Sequence, residues 1–136
     1  MVVCVVGLLV SCFGGFLIGL EAAKRMVKQG SGAIFFTGAS ASVKGYKESA
    51  SFAMGKFGLR GLAQSMAREL APKNIHVAHF VIDGGIQRSN DPQSERALKE
   101  GLLDPDCIAE SYLHVFDQKR NAWTWEMELR PWIENF

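Results

Sequence analysis

The length and composition of the chain limit its size class and its partners. With 136 residues, 48% of them hydrophobic, the chain is long enough for one globular domain over residues 1–136, which at this size buries roughly two-thirds of the surface of the unfolded chain. Fifteen basic and fourteen acidic residues leave a net charge of +1. A balance so close to neutral gives no electrostatic footprint for nucleic acid, which we exclude as a partner.

The cysteines and histidines do not form a recognisable metal site. There are three of each, and their spacing matches no common set of zinc ligands. We therefore expect no metal, and we expect the free thiols that persist in a reducing compartment. The prediction is a cytoplasmic protein, although the apolar amino terminus leaves membrane association open.

Three interpretations fit the amino-terminal residues. Residues 1–20 carry no charge and basic residues follow them, which is typical of a transmembrane segment. Alternatively, residues 2–6 form a buried strand, Gly14 and Gly15 form a turn, and residues 16–29 form an amphipathic helix. In the third interpretation residues 1–12 are an atypical apolar leader. We favour the strand followed by the helix, because residues 16–29 have helical periodicity and no basic segment precedes the apolar run as in a signal peptide.

The middle of the chain alternates between strand and helix. Residues 33–37 and 75–82 are short apolar runs, which is typical of strands buried on both faces. Between them, apolar residues recur at three- and four-residue steps from Gly55 to Leu70, and Ser49 or Ser51 can cap the start of this helix. Two such strands joined by a helix form a parallel crossover.

The carboxyl-terminal part adds a helix and a strand. Asp104 followed by Pro105 is typical of a helix start, and this helix is predicted to end at about Gln118. From residue 123 to residue 129 apolar and polar residues alternate strictly, which predicts a strand with one buried and one solvated face. The sum is an α/β chain with a small, mostly parallel sheet and flanking helices.

Three groups of residues could carry chemistry. Lys56 lies one helical turn after Phe52, so the two side chains share a helix face. Ser40 and Ser42 follow the first strand, and the Asp-Gly-Gly-Ile segment at residues 83–86 follows the second. Because open parallel sheets bind ligands at the carboxyl ends of their strands, all three groups point to one edge of the sheet. Taken singly, each also fits an ordinary structural role: a surface lysine, turn serines and loop glycines.

The helix that carries Lys56 has the most specific pattern in the chain. Residues 51–70, followed by Ile-His-Val at residues 75–77, resemble the catalytic helix and the next strand of the short-chain dehydrogenase/reductase family. The likeness extends from about Cys12 to Phe136 and covers the carboxyl-terminal half of the family's fold. It implies a partial doubly wound, Rossmann-like parallel sheet of three to four strands, and NAD(P)-dependent hydride transfer involving a carbonyl compound or an alcohol.

The resemblance implies roles for two polar side chains. Lys56 matches the lysine that binds the cofactor ribose and lowers the pKa of the catalytic tyrosine. Ser40 matches the substrate-orienting serine, although Ala39 or Ser42 fits after a small change in the loop. The implied substrate is a small carbonyl compound or alcohol.

The resemblance also implies a cofactor-binding segment after the second strand. Gly84 matches the glycine of a Pro-Gly pair that contacts the nicotinamide, with Asp83 in the place of the proline. Gly85 and Ile86 complete the segment, where the bare glycine backbone would permit close approach of a ligand. The implied cofactor is NAD or NADP.

Phe52 departs from the family pattern at the catalytic tyrosine. A phenyl ring has no proton to donate, so the general acid would have to be water, the substrate or Tyr46. The closing run of residues 122–132 resembles a divergent branch of the family that also carries phenylalanine in this position. Phe52 could therefore be an inherited feature of that branch rather than a substitution that damaged the site.

The family's phosphate loop, Thr-Gly-x-x-x-Gly-x-Gly, has no match in the chain. Residues 37–40 begin like it, but the later glycines would fall at Ser42 and Lys44, which cannot leave the backbone bare for a pyrophosphate. We therefore expect weak NAD(P) binding by this chain alone, and impaired or absent activity.

The predicted surfaces suggest assembly. The strand at residues 33–37 would have an unpaired outer edge, which residues 2–10 could cover as a fourth strand. Gly55, Gly58 and Gly61 permit close helix packing, and in the family the helices matching residues 16–29 and 52–70 commonly form a dimer interface. We expect a homo-oligomer, and the alternative function is a non-catalytic binding or oligomerisation module.

Overall fold

The computed structural model describes residues 6–88, 95 and 99–134. Its helices and strands alternate: α1 (Gly14–Gln29), β1 (Gly32–Thr37), α2 (Ala50–Leu70), β2 (Ile75–Ile82), α3 (Pro105–Phe116) and β3 (Glu126–Leu129). A π-helical turn, Leu9–Phe13, leads directly into α1. The predicted α/β class with flanking helices is confirmed.

The strands form one parallel sheet in the order β1-β2-β3. Central β2 is buried at every position, which explains its continuous apolar sequence. The register pairs Thr37 with Phe80 and Ile82 with Leu129, so the carboxyl ends of neighbouring strands lie at one edge. In the part of the chain described here, the sheet has three strands, the lower number predicted.

Each face of the sheet packs on different helices. Alternate residues of β2 face opposite sides: Ile75 and Val77 contact the core under α1 and α2, whereas Ala78 and Phe80 contact the core under α3. Phe80 is fully buried, and burial of such a side chain contributes about 1.5–3 kcal/mol. The helices therefore hold β2 in place from both sides, and this packing also fixes the position of its carboxyl end.

The predicted amino-terminal turn is wrong. Val6–Gln29 is continuously helical, and Gly14 and Gly15 lie inside the helix rather than in a turn. The reason is tertiary packing: a Cβ on Gly15 would lie 2.5 Å from a methyl group of Leu59, and one on Gly19 would lie 2.9 Å from the ring of Phe36. These glycines permit close approach to α2 and β1 without breaking the helix.

The predicted fourth strand is also wrong where it can be compared. Residues 6–10 are helical and do not pair with the outer edge of β1, because they lie against α2 instead: the site of a Cβ on Gly55 is 2.9 Å from the carbonyl oxygen of Gly7. The other residues of the predicted strand, 2–5, and the first five residues of the 1–12 leader lie outside the described residues.

The close packing predicted from the α2 glycines is found within the chain. A Cβ on Gly58 would lie 2.7 Å from Cys12 Sγ, whereas one on Gly61 would meet nothing within 4 Å. Gly55 and Gly58 thus let the amino-terminal helical segment approach α2. This packing accounts for two of the three glycines without a second copy of the chain.

The helix Val6–Gln29 is long and apolar enough to cross a membrane by length and composition alone. Several of its large apolar side chains are exposed, and they include Val10, Phe13, Leu17 and Ile18. One such helix near an amino terminus is weak evidence for a membrane span, because core helices and signal sequences meet the same criterion.

Apart from the start of α1, the predicted helix boundaries agree closely with the structure. Gly30 ends α1 in the left-handed conformation, and Asn74 is left-handed after the turn that follows α2. Asp104 caps α3 by accepting a hydrogen bond from the Asp106 N–H at 2.8 Å. Ser49 is the residue before α2, but its side chain makes no capping bond.

The last strand is shorter than predicted, and its polar face is not simply solvated. Met127 and Leu129 pack on the α3 side of the sheet, as the alternation predicts. Glu126 faces the other side, where its carboxylate is paired with two side chains of the fold. The segment before Glu126 does not join the sheet as a strand.

Candidate active site at the carboxyl ends of the strands

Lys56 lies beside the end of β1. Its Nζ donates a hydrogen bond to the Thr37 carbonyl at 3.0 Å, and burial lowers the pKa of its ammonium group. The Phe52 ring centre is 5.8 Å from the same Nζ, so the two side chains share a face of α2 as their spacing predicts. Phe52 is 45% exposed, which leaves its ring accessible at the surface.

The two candidate serines lie in the turn of residues 38–42 and differ in their burial. The Gly38 N–H donates to the Phe80 carbonyl at 2.7 Å and anchors the turn to β2. Ser42 is fully buried, and its Oγ accepts a hydrogen bond from the Ala39 N–H. Ser40 is only half-buried. Burial leaves Ser42 unable to reach a ligand in this arrangement, so Ser40 is the more accessible candidate.

Asp83 is held by ion pairs within the chain. The carboxylate is buried and accepts hydrogen bonds from Lys44 at 3.1 Å and from Arg130 at 2.7 Å. Arg130 also contacts Glu128. The Asp83 side chain therefore joins the loop after residue 42, the end of β2 and the carboxyl-terminal segment, and its Oδ2 accepts from both partners.

The glycines after Asp83 are explained by close contacts inside the fold. A Cβ on Gly84 would lie 2.8 Å from Pro131 Cδ, and one on Gly85 would lie 3.0 Å from Leu102. Ile86 forms a bridge with Leu103 and has a partly exposed side chain. The neighbouring segments thus leave little space for a side chain at either glycine, whether or not a ligand approaches.

The three predicted groups meet at the carboxyl edge of the sheet. The Lys44–Asp83 ion pair joins the serine turn to the 83–86 segment, and the bond from Lys56 to Thr37 joins α2 to the same strand end. A cavity of about 430 Å³ adjoins Lys56 and Thr37 and extends along the outer side of β1 to α1. The arrangement places the Lys56 ammonium group, the Ser40 turn and the glycine-containing backbone of residues 83–86 at one edge.

A buried network on the α2 side was not predicted. Fully buried His79 lies 3.0 Å through Nδ1 from Glu126 Oε2, and Arg60 donates two hydrogen bonds to the same carboxylate at 2.6 and 2.8 Å. Burial lowers the pKa of His79, although Glu126 opposes this. Burial also raises the pKa of Glu126, but the hydrogen bonds and charge of Arg60 outweigh it and hold that pKa below its usual value.

Local periodicity could not have revealed this network. His79 occupies a position in an apolar strand that normally carries an aliphatic side chain, and this was the available signal. Its partner depends on the pairing of His79 with Glu126 across the sheet. That register is set by the whole fold.

A tyrosine was also missed at the opposite face of the sheet. The Tyr112 hydroxyl lies 2.8 Å from Thr37 Oγ1, and burial raises the pKa of this phenol. It borders a mostly apolar cavity of about 650 Å³. Tyr112 and Lys56 thus contact the same residue from opposite sides of the sheet.

Tyr46, the substitute acid considered from the sequence, lies in the loop before α2 and is 47% exposed. Its carbonyl accepts a hydrogen bond from the Ser49 N–H, but among the residues that the structure describes no hydrogen bond of its hydroxyl joins it to the Lys56 site. Among the described residues, no group of three or more histidine, cysteine, aspartate and glutamate side chains could hold a metal ion.

Comparison with solved structures supports the fold and its organisation. A crystal structure of a short-chain dehydrogenase from Rhodopseudomonas palustris is 43% identical, with a TM-score of 0.77, over 96% of this chain and 52% of that one. Acetoin dehydrogenase from Enterobacter cloacae is 26% identical, with a TM-score of 0.78, over 90% of this chain and 52% of that one.

Sequence comparison gives the same relationship. Sepiapterin reductase from Chlorobaculum tepidum is 26% identical over 118 residues, which are 87% of this chain and 48% of that protein. A short chain aldehyde dehydrogenase from Euphorbia lathyris is 30% identical over 69% of this chain and 36% of that protein. The chain thus spans between about a third and half of these relatives. The family model for short chain dehydrogenases matches residues 8–95, and the chain belongs to this family.

Proposed function

We propose that the chain supplies the substrate-side half of an NAD(P)-dependent oxidoreductase that transfers hydride between the cofactor and a small carbonyl compound or alcohol. The observation that carries the proposal is the position of Lys56, half-buried at the end of β1 and bonded to the Thr37 carbonyl. Family membership and the meeting of the Ser40 turn with the 83–86 segment at the same edge support it.

The residues present fit one end of the cofactor. Lysine has three N–H donors, and the bond to Thr37 uses one of them, so Lys56 can donate to ribose hydroxyls. The backbone of Gly84, Gly85 and Ile86 would flank the nicotinamide, while the Asp83 carboxylate serves its ion pairs. The 136 residues contain no phosphate loop, so the pyrophosphate has no matching site in this chain and we expect weak binding by it alone.

The proposed proton chemistry differs from that of a tyrosine enzyme. When bound, the cofactor supplies or accepts the hydride. Ser40 would orient the substrate oxygen, and Phe52 would shape the site without donating a proton. A water molecule or the substrate then has to serve as the acid, and we expect low activity of the chain as it stands.

Cofactor titration tests the proposal. The purified chain is titrated with NADH and with NADPH while the fluorescence of its tryptophans is followed. We expect quenching with a dissociation constant on the order of 1 mM, and about tenfold weaker binding by Lys56→Ala, which loses a charged donor. Lys73→Ala is the matched control, because Lys73 is an exposed lysine just after α2 that pairs with Glu69 on the surface, far from Lys56 in sequence.

The second arm restores the acid. Phe52→Tyr should raise the reduction of a test carbonyl compound, for which acetoin is suitable, by on the order of 100-fold, measured as NADPH consumption. No quenching by either cofactor, or equal affinities of the Lys56→Ala and Lys73→Ala variants, would refute the assignment of Lys56. An unchanged reduction rate in Phe52→Tyr would refute the assignment of Phe52 to the position of the catalytic tyrosine.

The rival proposal is a non-catalytic binding or oligomerisation module, and two observations favour it. Phe52 cannot act as an acid, and the helix Val6–Gln29 presents exposed apolar side chains. A homo-oligomer and a cytoplasmic location form part of both proposals. Sedimentation of the chain at several concentrations tests the oligomer: a mass that stays that of one chain throughout would exclude it.

A further inference from the structure

The orientation of His79 is fixed from one side by charged partners. Its Nδ1 lies 3.0 Å from Glu126 on β3, and Glu126 is held in turn by the Nε and Nη2 groups of Arg60. Arg60 follows Lys56 by one turn of α2, and its guanidinium also lies over the Trp125 ring. The helix that carries the proposed ribose-binding lysine therefore also anchors the histidine.

The other side of the ring faces the serine turn. A Cβ on Gly38 would overlap His79 Nε2 and would lie 2.6 Å from Ser42 Oγ. The ring thus occupies the space beside Gly38, where any residue other than glycine would displace the turn or the histidine. The fully buried Nε2 has no hydrogen-bond partner among the described residues.

The charges around the ring determine its proton arrangement. Glu126 is the only acceptor recorded for the ring within the described part of the fold, and its depressed pKa keeps it ionised near neutral pH. Nδ1 must therefore carry the proton and donate it, while Nε2 keeps its lone pair. Burial, with the smaller effects of the Arg60 and Lys56 charges on α2, lowers the pKa of the ring and opposes a second proton, whereas Glu126 favours it.

We propose that His79 is a positioning residue: held through Nδ1 by the Arg60–Glu126 ion pair, it fixes the 38–42 turn, and with it Ser40, relative to Lys56. The proposal rests on the function proposed above for Ser40 and Lys56. It adds a side chain that touches neither substrate nor cofactor.

The test uses the whole chain and begins without cofactor. Long-range proton–nitrogen NMR of the histidine rings should show His79 neutral, with its proton on Nδ1, at pH ~6.5, where an unperturbed histidine is half protonated. A ring protonated on Nε2, or on both nitrogens, at this pH would overturn the proposal.

Two variants and a control separate positioning from general packing. His79→Phe keeps a ring but cannot bond to Glu126, and it should shift the amide resonances of residues 38–42; His79→Gln, which can still donate to Glu126, should restore most of them. His76→Phe is the control, because His76 is a buried histidine of the same strand that faces the other side and bonds to the Thr124 carbonyl. Equal shifts of the turn in both Phe variants would contradict the proposal.

Cofactor affinity connects the positioning role to the site. If the wild-type chain binds NADPH, we expect His79→Phe to weaken the binding by on the order of fivefold, with His79→Gln and His76→Phe close to wild type. If the wild-type chain does not bind, the proposed function fails, while the tautomer and amide shifts still decide whether His79 positions the turn. His79→Phe with a native spectrum for residues 38–42 would overturn it in either case.

Discussion

Gly55 and Gly61 occupy the same helix and have opposite surroundings, so alanine should have opposite effects at the two positions. Alanine is favoured over glycine in a helix interior by about 1 kcal/mol. At Gly61 nothing lies within 4 Å of the new Cβ, so Gly61→Ala should raise the free energy of unfolding by most of that amount.

At Gly55 the same gain meets a steric cost. The new Cβ would lie 2.9 Å from the Gly7 carbonyl oxygen and 3.1 Å from Ser11 Cβ. Because the carbonyl is backbone and cannot rotate away, relief requires the two helical segments to separate. Overpacking of this kind costs about 1–3 kcal/mol, and we expect Gly55→Ala to lower the free energy of unfolding by about 1 kcal/mol.

Urea denaturation followed by circular dichroism measures both variants. The expected separation between Gly61→Ala and Gly55→Ala is about 2 kcal/mol, with unchanged dependence on urea concentration. Gly58→Ala should fall between them, because its obstacle is the Cys12 side chain. If Gly55→Ala stabilises the chain as much as Gly61→Ala does, residues 7–11 do not pack on α2 in solution, and the helical amino terminus described above is refuted.

Three further predictions concern the buried network. Burial lowers the pKa of His79 despite Glu126, so the unfolded chain binds a proton at this histidine more readily than the folded chain does. The free energy of unfolding should therefore fall as the pH drops below about 6.5. Urea unfolding at pH ~7.5 and ~5.5 should show a smaller fall in this free energy for His79→Gln than for the wild-type chain. Arg60→Met should lower the free energy of unfolding by about 2 kcal/mol, because it removes two hydrogen bonds to the Glu126 carboxylate. Exposed Arg68→Met should lower it by less than about 0.5 kcal/mol. Equal losses of stability would contradict a stabilising role of the Arg60–Glu126 ion pair. Gly38→Ala should lower the free energy of unfolding by about 2 kcal/mol, because the new Cβ overlaps the His79 ring. In a double-mutant cycle, His79→Ala should recover part of this loss. Strict additivity of the two substitutions would show that the two residues do not contact each other.

The central part of the fold was predictable because local and global signals agree there. The two apolar runs that became β1 and β2 are too short for helices and flank a strongly periodic segment. The amino terminus could not be predicted in the same way. Valine-rich sequence and paired glycines indicate a strand and a turn locally, but contacts of Gly15 with Leu59 and of Gly55 with Gly7 favour a helix.

The candidate site likewise has a part that follows from local sequence and a part that depends on the whole fold. The pairing of Phe52 with Lys56 follows from a spacing of four residues on a helix, which no tertiary contact has to supply. The difference between Ser40 and Ser42 depends on which serine the short turn buries, and the link from His79 to Glu126 depends on strand register. Neither is encoded in a local pattern, so sequence periodicity left the first open and did not reveal the second.

The Asp83 ion pairs have a practical consequence for handling the molecule. Arg130 lies near the last described residues, and its guanidinium satisfies a buried carboxylate at the centre of the sheet's carboxyl edge. Deleting the final seven residues would leave that carboxylate, within the described part of the chain, with the Lys44 ion pair, and the loss of a hydrogen bond to a charged group is typically worth about 1.5–3 kcal/mol. Shortened forms of the chain should therefore keep the segment from Arg130 onward, since it holds the carboxyl end of β2 through Asp83.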